Sequence, residues 1–177
     1  MTTSARRSMA VLALGAALAT TGCGVGSADR AATVDGTVIT ETEVQTSTRE
    51  LNALKPTPFE KPLTTTATLG YLLQAQPLID EVGAKGVVIS ESVASALATQ
   101  LGLKDPSDGT ILIIRSLAAQ SSAAGDGKWT DADQAALVAK QESRVVTVNP
   151  RYGRFDPKTA TITAVRPSWI TSTAAPQ

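Results

Sequence analysis

Apolar and polar positions along this chain change period twice. From about residue 40 to residue 142 the apolar residues recur at three- and four-residue spacing, as on helices that bury one face. On either side, β-branched residues cluster as they do in strands. At the front, "ATVDGTVIT" (32–40) sets Asp35-Gly36 between β-branched residues. That pattern predicts a hairpin, because Asp-Gly accepts the positive φ angles of a tight turn. Thr40 then opens a helix, with Glu43 three residues on to complete a capping box; Val44, Leu51 and Leu54 carry it to about residue 54. Three prolines in "KPTPFEKP" (55–62) predict a loop.

A second helix is expected from about Thr65 to Lys85, on Leu69, Leu72, Leu73 and Ile79. Pro77 should kink or split it and Gly86 should stop it. "VVIS" reads as a short extended link, and Ser90 caps a third helix that Gly102 ends. "TILIIRSLAAQSS" (110–122) is apolar enough for a buried strand, but its length and alanines favour a helix. Thr130 caps a fifth. "RVVTV" (144–148) and "ATITAV" (160–165) then read as strands, with "NPRYGRFDP" between them as a turn-rich loop. The expected fold class is α+β and mostly helical. It has about five helices and a small antiparallel sheet in which the N-terminal hairpin pairs with the C-terminal strands.

Composition narrows the chemistry. Sixteen basic and sixteen acidic residues cancel, so no basic excess is available for nucleic acid. Histidine is absent, which removes the commonest general base and metal ligand. No cofactor and no metal site is expected. Aromatics make up only 3%, so the core must be built from Ala, Leu, Val and Ile.

The first residues read as an export signal. Arg6 and Arg7 precede an apolar run over residues 9–19 that is too short to span a bilayer. "TTGC" closes it with Cys23, the single cysteine. This ending resembles the lipobox of bacterial lipoproteins, although Thr20 stands where that family usually has Leu. The resemblance implies cleavage before Cys23, lipid on its sulfur and an acylated amino group. It places the mature chain at the extracytoplasmic face of a membrane. The expected organisation is a signal peptide over 1–22, a lipidated cysteine and flexible tether over 23–31, one domain over 32–170 and a loose tail over 171–177. With Arg6 and Arg7 removed, the mature part is mildly acidic.

Three blocks carry a further resemblance. "AATVDGTVITETEVQTSTREL" resembles the opening of SurA-type periplasmic chaperones, where a "VNG-x-x-I-T" run precedes the first helix. "LLQAQPLIDEVGAKGVVISESVASAL" is similar to that family's next block. "VTVNPRYGRFDP" is similar to the closing segment of short actinobacterial SurA-like lipoproteins. The resemblance implies a helical body that holds unfolded exported polypeptides. Full members also carry parvulin prolyl-isomerase domains. Here only "AAGDGKW" intervenes where a domain of about a hundred residues could insert, and parvulin sites use histidine. The chain is therefore expected not to be an enzyme. The other class considered is an adaptor docking one folded partner in an envelope complex.

Searches for other chemistry give bland answers. The serines show no Ser-x-x-Lys spacing. "SAAGDGKWTDAD" (122–133) mimics a calcium loop at Asp126, Gly127 and Asp133, but Ala124 lacks an oxygen and the usual bidentate Glu is Asp. A turn and a capped helix account for it better. Asp80 and Glu81 are adjacent and do not share a helix face. Tyr152, Phe155 and Trp169 crowd the C-terminal region. They are candidate contacts for a bound polypeptide, weighed against the favoured reading that they seal the sheet onto the helices.

Overall fold

The structure is a computed structural model, described here over residues 29–165. In chain order the elements are β1 (Arg30–Val34), β2 (Thr37–Thr40), α1 (Glu41–Ala53), α2 (Thr65–Ala84), α3 (Glu91–Gln100), α4 (Asp108–Gly125), α5 (Asp131–Glu142), β3 (Val146–Val148), β4 (Arg154–Asp156) and β5 (Thr161–Thr163). The mostly helical α+β class is as expected.

The helix starts follow local chemistry. Thr40, Thr64 and Ser90 each accept from the backbone N–H three residues on, satisfying a donor the helix cannot. Thr130 and Asp133 form a full capping box. Residues 122–125 are the last turn of α4, so no calcium loop forms there. Asp133 is instead tied to Lys85 by an ion pair of 2.5 Å that joins the end of α2 to the start of α5. Lys85 and the Thr130 hydroxyl hold the Asp133 carboxyl down to about 2.

Packing uses small side chains. Leu51, Leu69, Leu73, Val44, Ile113, Ala94 and Ala98 are fully or almost fully buried where α1–α4 meet β1. A second cluster of Leu78, Val82, Val87, Ala119, Ala123 and Leu137 joins α2, α4 and α5, with Trp129 half-buried against it. Hydroxyls fill the tightest crossings. Thr48 donates to Val44 O (2.7 Å) and is bonded to Thr68 Oγ1 (2.9 Å), so a buried polar pair links α1 and α2 without an unpaired atom. Gly109 lets α4 cross α1, because a Cβ there would sit 2.6 Å from Ser47 Oγ.

Four expectations need correction. First, Pro77 does not split α2, which is one helix from Thr65 to Ala84. Proline has no N–H, so the Leu73 carbonyl four residues back loses its helical donor. Arg144, beyond α5, supplies one: its Nη1 donates to Leu73 O at 2.8 Å.

Second, the C-terminal strands do not all join the hairpin. The larger sheet has the order β2-β1-β3, and β4-β5 form a separate pair. Tyr152 inserts into the core between them and turns the chain away. Third, β4 falls inside the segment expected to be a loop. It is three residues long between Gly153 and Pro157, and β5 pairing alone creates it. Fourth, the ordered body begins before residue 32. Ala31 is fully buried and its carbonyl accepts from Asn149 N at 2.8 Å, which places Arg30 and Ala31 in β1 rather than in a tether.

Candidate functional site

The hairpin tip and the chain after α5 are fastened together. Asp35 takes the positive φ expected of the turn, followed by Gly36. Its N–H donates to Val145 O and its carboxylate accepts from Val145 N, both at 2.9 Å, and from Arg144 Nε at 3.2 Å. These bonds, the Val145 N–H first and Arg144 second, hold the Asp35 carboxyl below its ordinary range. Arg144 therefore braces the turn with one nitrogen and repairs the Pro77 break with another.

Beside this clasp, β2 walls a hollow of about 310 Å³ whose floor is Ile39, Leu72 and Leu112, with Arg144 at one end. Glu43 and Leu112 also line an adjoining hollow of about 310 Å³, bordered by Glu91, Asp108, Ile111 and Arg115. Glu43 and Leu112 line both, so the two hollows adjoin and border a groove between the hairpin and the helices. Its floor is apolar. Its far rim carries Glu43, Glu91 and Asp108, and none of the three is in an ion pair among the described residues. All three lie in helix first turns, where the N-terminal dipole favours a carboxylate. The rim is acidic because three helices begin there. Arg115 partly offsets it while donating to Ile89 O at 2.7 Å.

A second cleft, of about 510 Å³, lies between β3 and β4 and is lined by Val146, Val148, Phe155 and Val165 among others. A third hollow, between the first half of α2 and β5, is bounded by Tyr71 and Ile162; Gln74 closes its end by donating to Ala160 O at 2.6 Å.

The residues singled out from sequence fare differently. Tyr152 is only 5% exposed, and its hydroxyl donates to Glu41 Oε2 at 2.7 Å. Burial and the neighbouring Glu41 carboxylate push the phenol up. Burial alone would raise Glu41 as well, but hydrogen bonds from Tyr152, Gln45 and Arg151 outweigh it and hold that carboxyl low. Tyr152 locks the C-terminal segment onto the start of α1, a sealing position rather than an open one. Phe155 is half-buried, packing on the core while lining the second cleft. Cys23 and Trp169 lie outside the described residues. Sequence reasoning missed Arg144 altogether. Only the donor deficit at Pro77 hinted that some distant cation was needed.

Among the described residues, no helix is long and apolar enough to cross a membrane. No group of three or more carboxylate or cysteine side chains there could hold a metal ion. The chain matches no known protein family, no curated protein and no solved structure.

Proposed function

We propose that this chain is an extracytoplasmic protein, tethered to a membrane through lipid on Cys23, that holds extended or partly folded exported polypeptides by contact and makes or breaks no bond. The observation that carries the reading is the groove between the hairpin and α1–α4: an apolar floor of Ile39, Leu72 and Leu112 with an acidic rim of Glu43, Glu91 and Asp108. Open and floored by apolar side chains, it suits weak and reversible capture of side chains that a folded protein would bury. Its charge favours segments in which Lys or Arg flank apolar residues, by electrostatic complementarity. The resemblance of three sequence blocks to SurA-type chaperones and the lipobox-like "TTGC" support the same reading.

The test is aggregation of an unfolded envelope protein with and without the purified chain, paired with binding of a fluorescent peptide of apolar residues flanked by lysines. The expected outcome is delayed aggregation and peptide binding that the double variant Glu43→Gln, Glu91→Gln weakens about tenfold, with the chain still folded as judged by circular dichroism. No delay and no rim-dependent binding would reject it. Cross-linking in cells gives a separate readout. Many heterogeneous partners fit this reading, whereas one stoichiometric partner would replace it with an adaptor that docks a specific envelope protein. Mass spectrometry of the mature N-terminus tests the lipid on Cys23.

A further inference from the structure

α5 is joined to the rest of the domain by one narrow stripe. Of its 12 residues only Asp133, Leu137 and Gln141 are buried, at four-residue spacing on one face. Leu137 is the sole apolar member of that stripe. It completes the second cluster, with Leu78 and Val82 of α2 and Ala119 and Ala123 of α4. Ala132, Ala135, Ala136 and Ala139, on the remaining faces, are exposed. The helices beneath are far better buried: α2 covers ten of its residues and α4 seven.

The two polar members of the stripe act in opposite directions. Asp133 meets Lys85, at the end of α2, at 2.5 Å and so holds α5 down. Gln141 is only 3% exposed, yet its Oε1 has no hydrogen-bond partner among the described residues. An amide oxygen taken from water without a replacement favours any state that wets it. A second ion pair joins Lys140 to Asp80 of α2 at 3.5 Å, and Glu142 meets the exposed Lys158 at 3.9 Å. The Lys85 and Lys140 side chains are 39% and 40% exposed, so solvent weakens both pairs to α2.

The segments flanking α5 are fixed by groups outside the helix. Ahead of it, Gly127 turns at φ of +63° and Lys128 N donates to Ala123 O. Behind it, Arg144 and Val145 are bonded to Asp35 and to Leu73 O. α5 can therefore come away without loosening either anchor. A helix of this length is marginal in water by itself, so once detached it frays as a unit.

We infer that α5 is a detachable strap: it lifts from α2 and α4 while those helices stay folded, and uncovers an apolar seat of Leu78, Val82, Ala119 and Ala123. This seat is distinct from the groove beside β2, and the strap opens whether or not that groove captures a polypeptide.

Native-state hydrogen exchange in the full chain, kept in mild detergent, tests this. The Leu137 and Val138 amides should exchange at least about a hundredfold faster than those of Leu72 and Ile113. Gln141→Leu replaces the unpaired oxygen with apolar atoms and should slow exchange at Leu137 and Val138 about tenfold. Leu137→Ala should abolish protection in α5 and leave Leu72 and Ile113 protected. In a Trp169→Phe background Trp129, half-buried against the second cluster, reports on the same event. Its emission should shift to that of a solvated indole with Leu137→Ala. Equal exchange in α5, α2 and α4 would overturn the inference, because the helices would then open only together. So would loss of protection at Leu72 and Ile113 with Leu137→Ala, or exchange in α5 that Gln141→Leu fails to slow.

Discussion

The helical body and the β clasp hold together by different physics. Where α1, α2 and α4 meet, the buried residues are Leu, Ile, Val and Ala with a few paired hydroxyls. Burying one Leu stabilises by about 1.5–3 kcal/mol, largely independent of pH and salt. In the clasp, where β1, β2 and β3 meet the segments flanking the helices, charged groups make the contacts. Arg144 joins Asp35 and Leu73 O, and Glu41 takes Tyr152 and Arg151. Such charge-assisted bonds depend on direction and on protonation state, and solvent weakens those at Asp35 and Arg151. The body is stabilised by area, which tolerates rearrangement. The clasp is stabilised by geometry, which does not. The segments on either side of the helices are thus joined by charged and hydrogen-bonded groups at Asp35, Glu41, Arg144, Arg151 and Tyr152.

Three measurements would break or sharpen that contrast. The largest effect is expected in the body. Leu69→Ala should cost about 3 kcal/mol in chemical denaturation, as buried Leu truncations do, with the same deficit at pH 7 and pH 3. A smaller loss, about 2 kcal/mol, is expected for Arg144→Met. Most of it should vanish in a Pro77→Ala background, where residue 77 regains the N–H that bonds Leu73 O. Equal cost in both backgrounds would show that Arg144 acts only through Asp35.

The smallest effect is expected from acid. Asp35 and Glu41 titrate below their ordinary values of 3.8 and 4.5 in the folded chain. The stability they supply is complete above about pH 5 and is lost as pH falls through the folded values. Asp35→Asn and Glu41→Gln should therefore melt below the parent chain at pH 7 and converge on it near pH 2–3, while Leu69→Ala keeps its deficit. Failure to converge would mean that the clasp, too, is held by packing.

The helical half was legible because its signals are local. Thr40, Ser90 and Thr130 each sit next to the N–H groups they cap, and Asp35-Gly36 carries its own turn. The C-terminal half was not, because its signals are pairings. "RFD" in β4 contains nothing that marks a strand until β5 lies beside it. The residues that line the candidate groove were not legible. Glu43, Glu91 and Asp108 are far apart in sequence and meet only because three helices start at one end of the groove.

By itself, the sequence determined where helices begin, where the first hairpin turns and that the core would be aliphatic. Each depends on interactions within a few residues or on composition alone. Only the tertiary structure decided that α2 would run through Pro77, that the strands would divide between two sheets, and that Tyr152 would face inward. Each of these rests on a partner that chain distance hides: Arg144 lies 71 residues from Leu73, and Tyr152 lies 111 from Glu41. No local pattern encodes such a pairing, because the hydrogen bond forms only after the helical body has brought its two ends together.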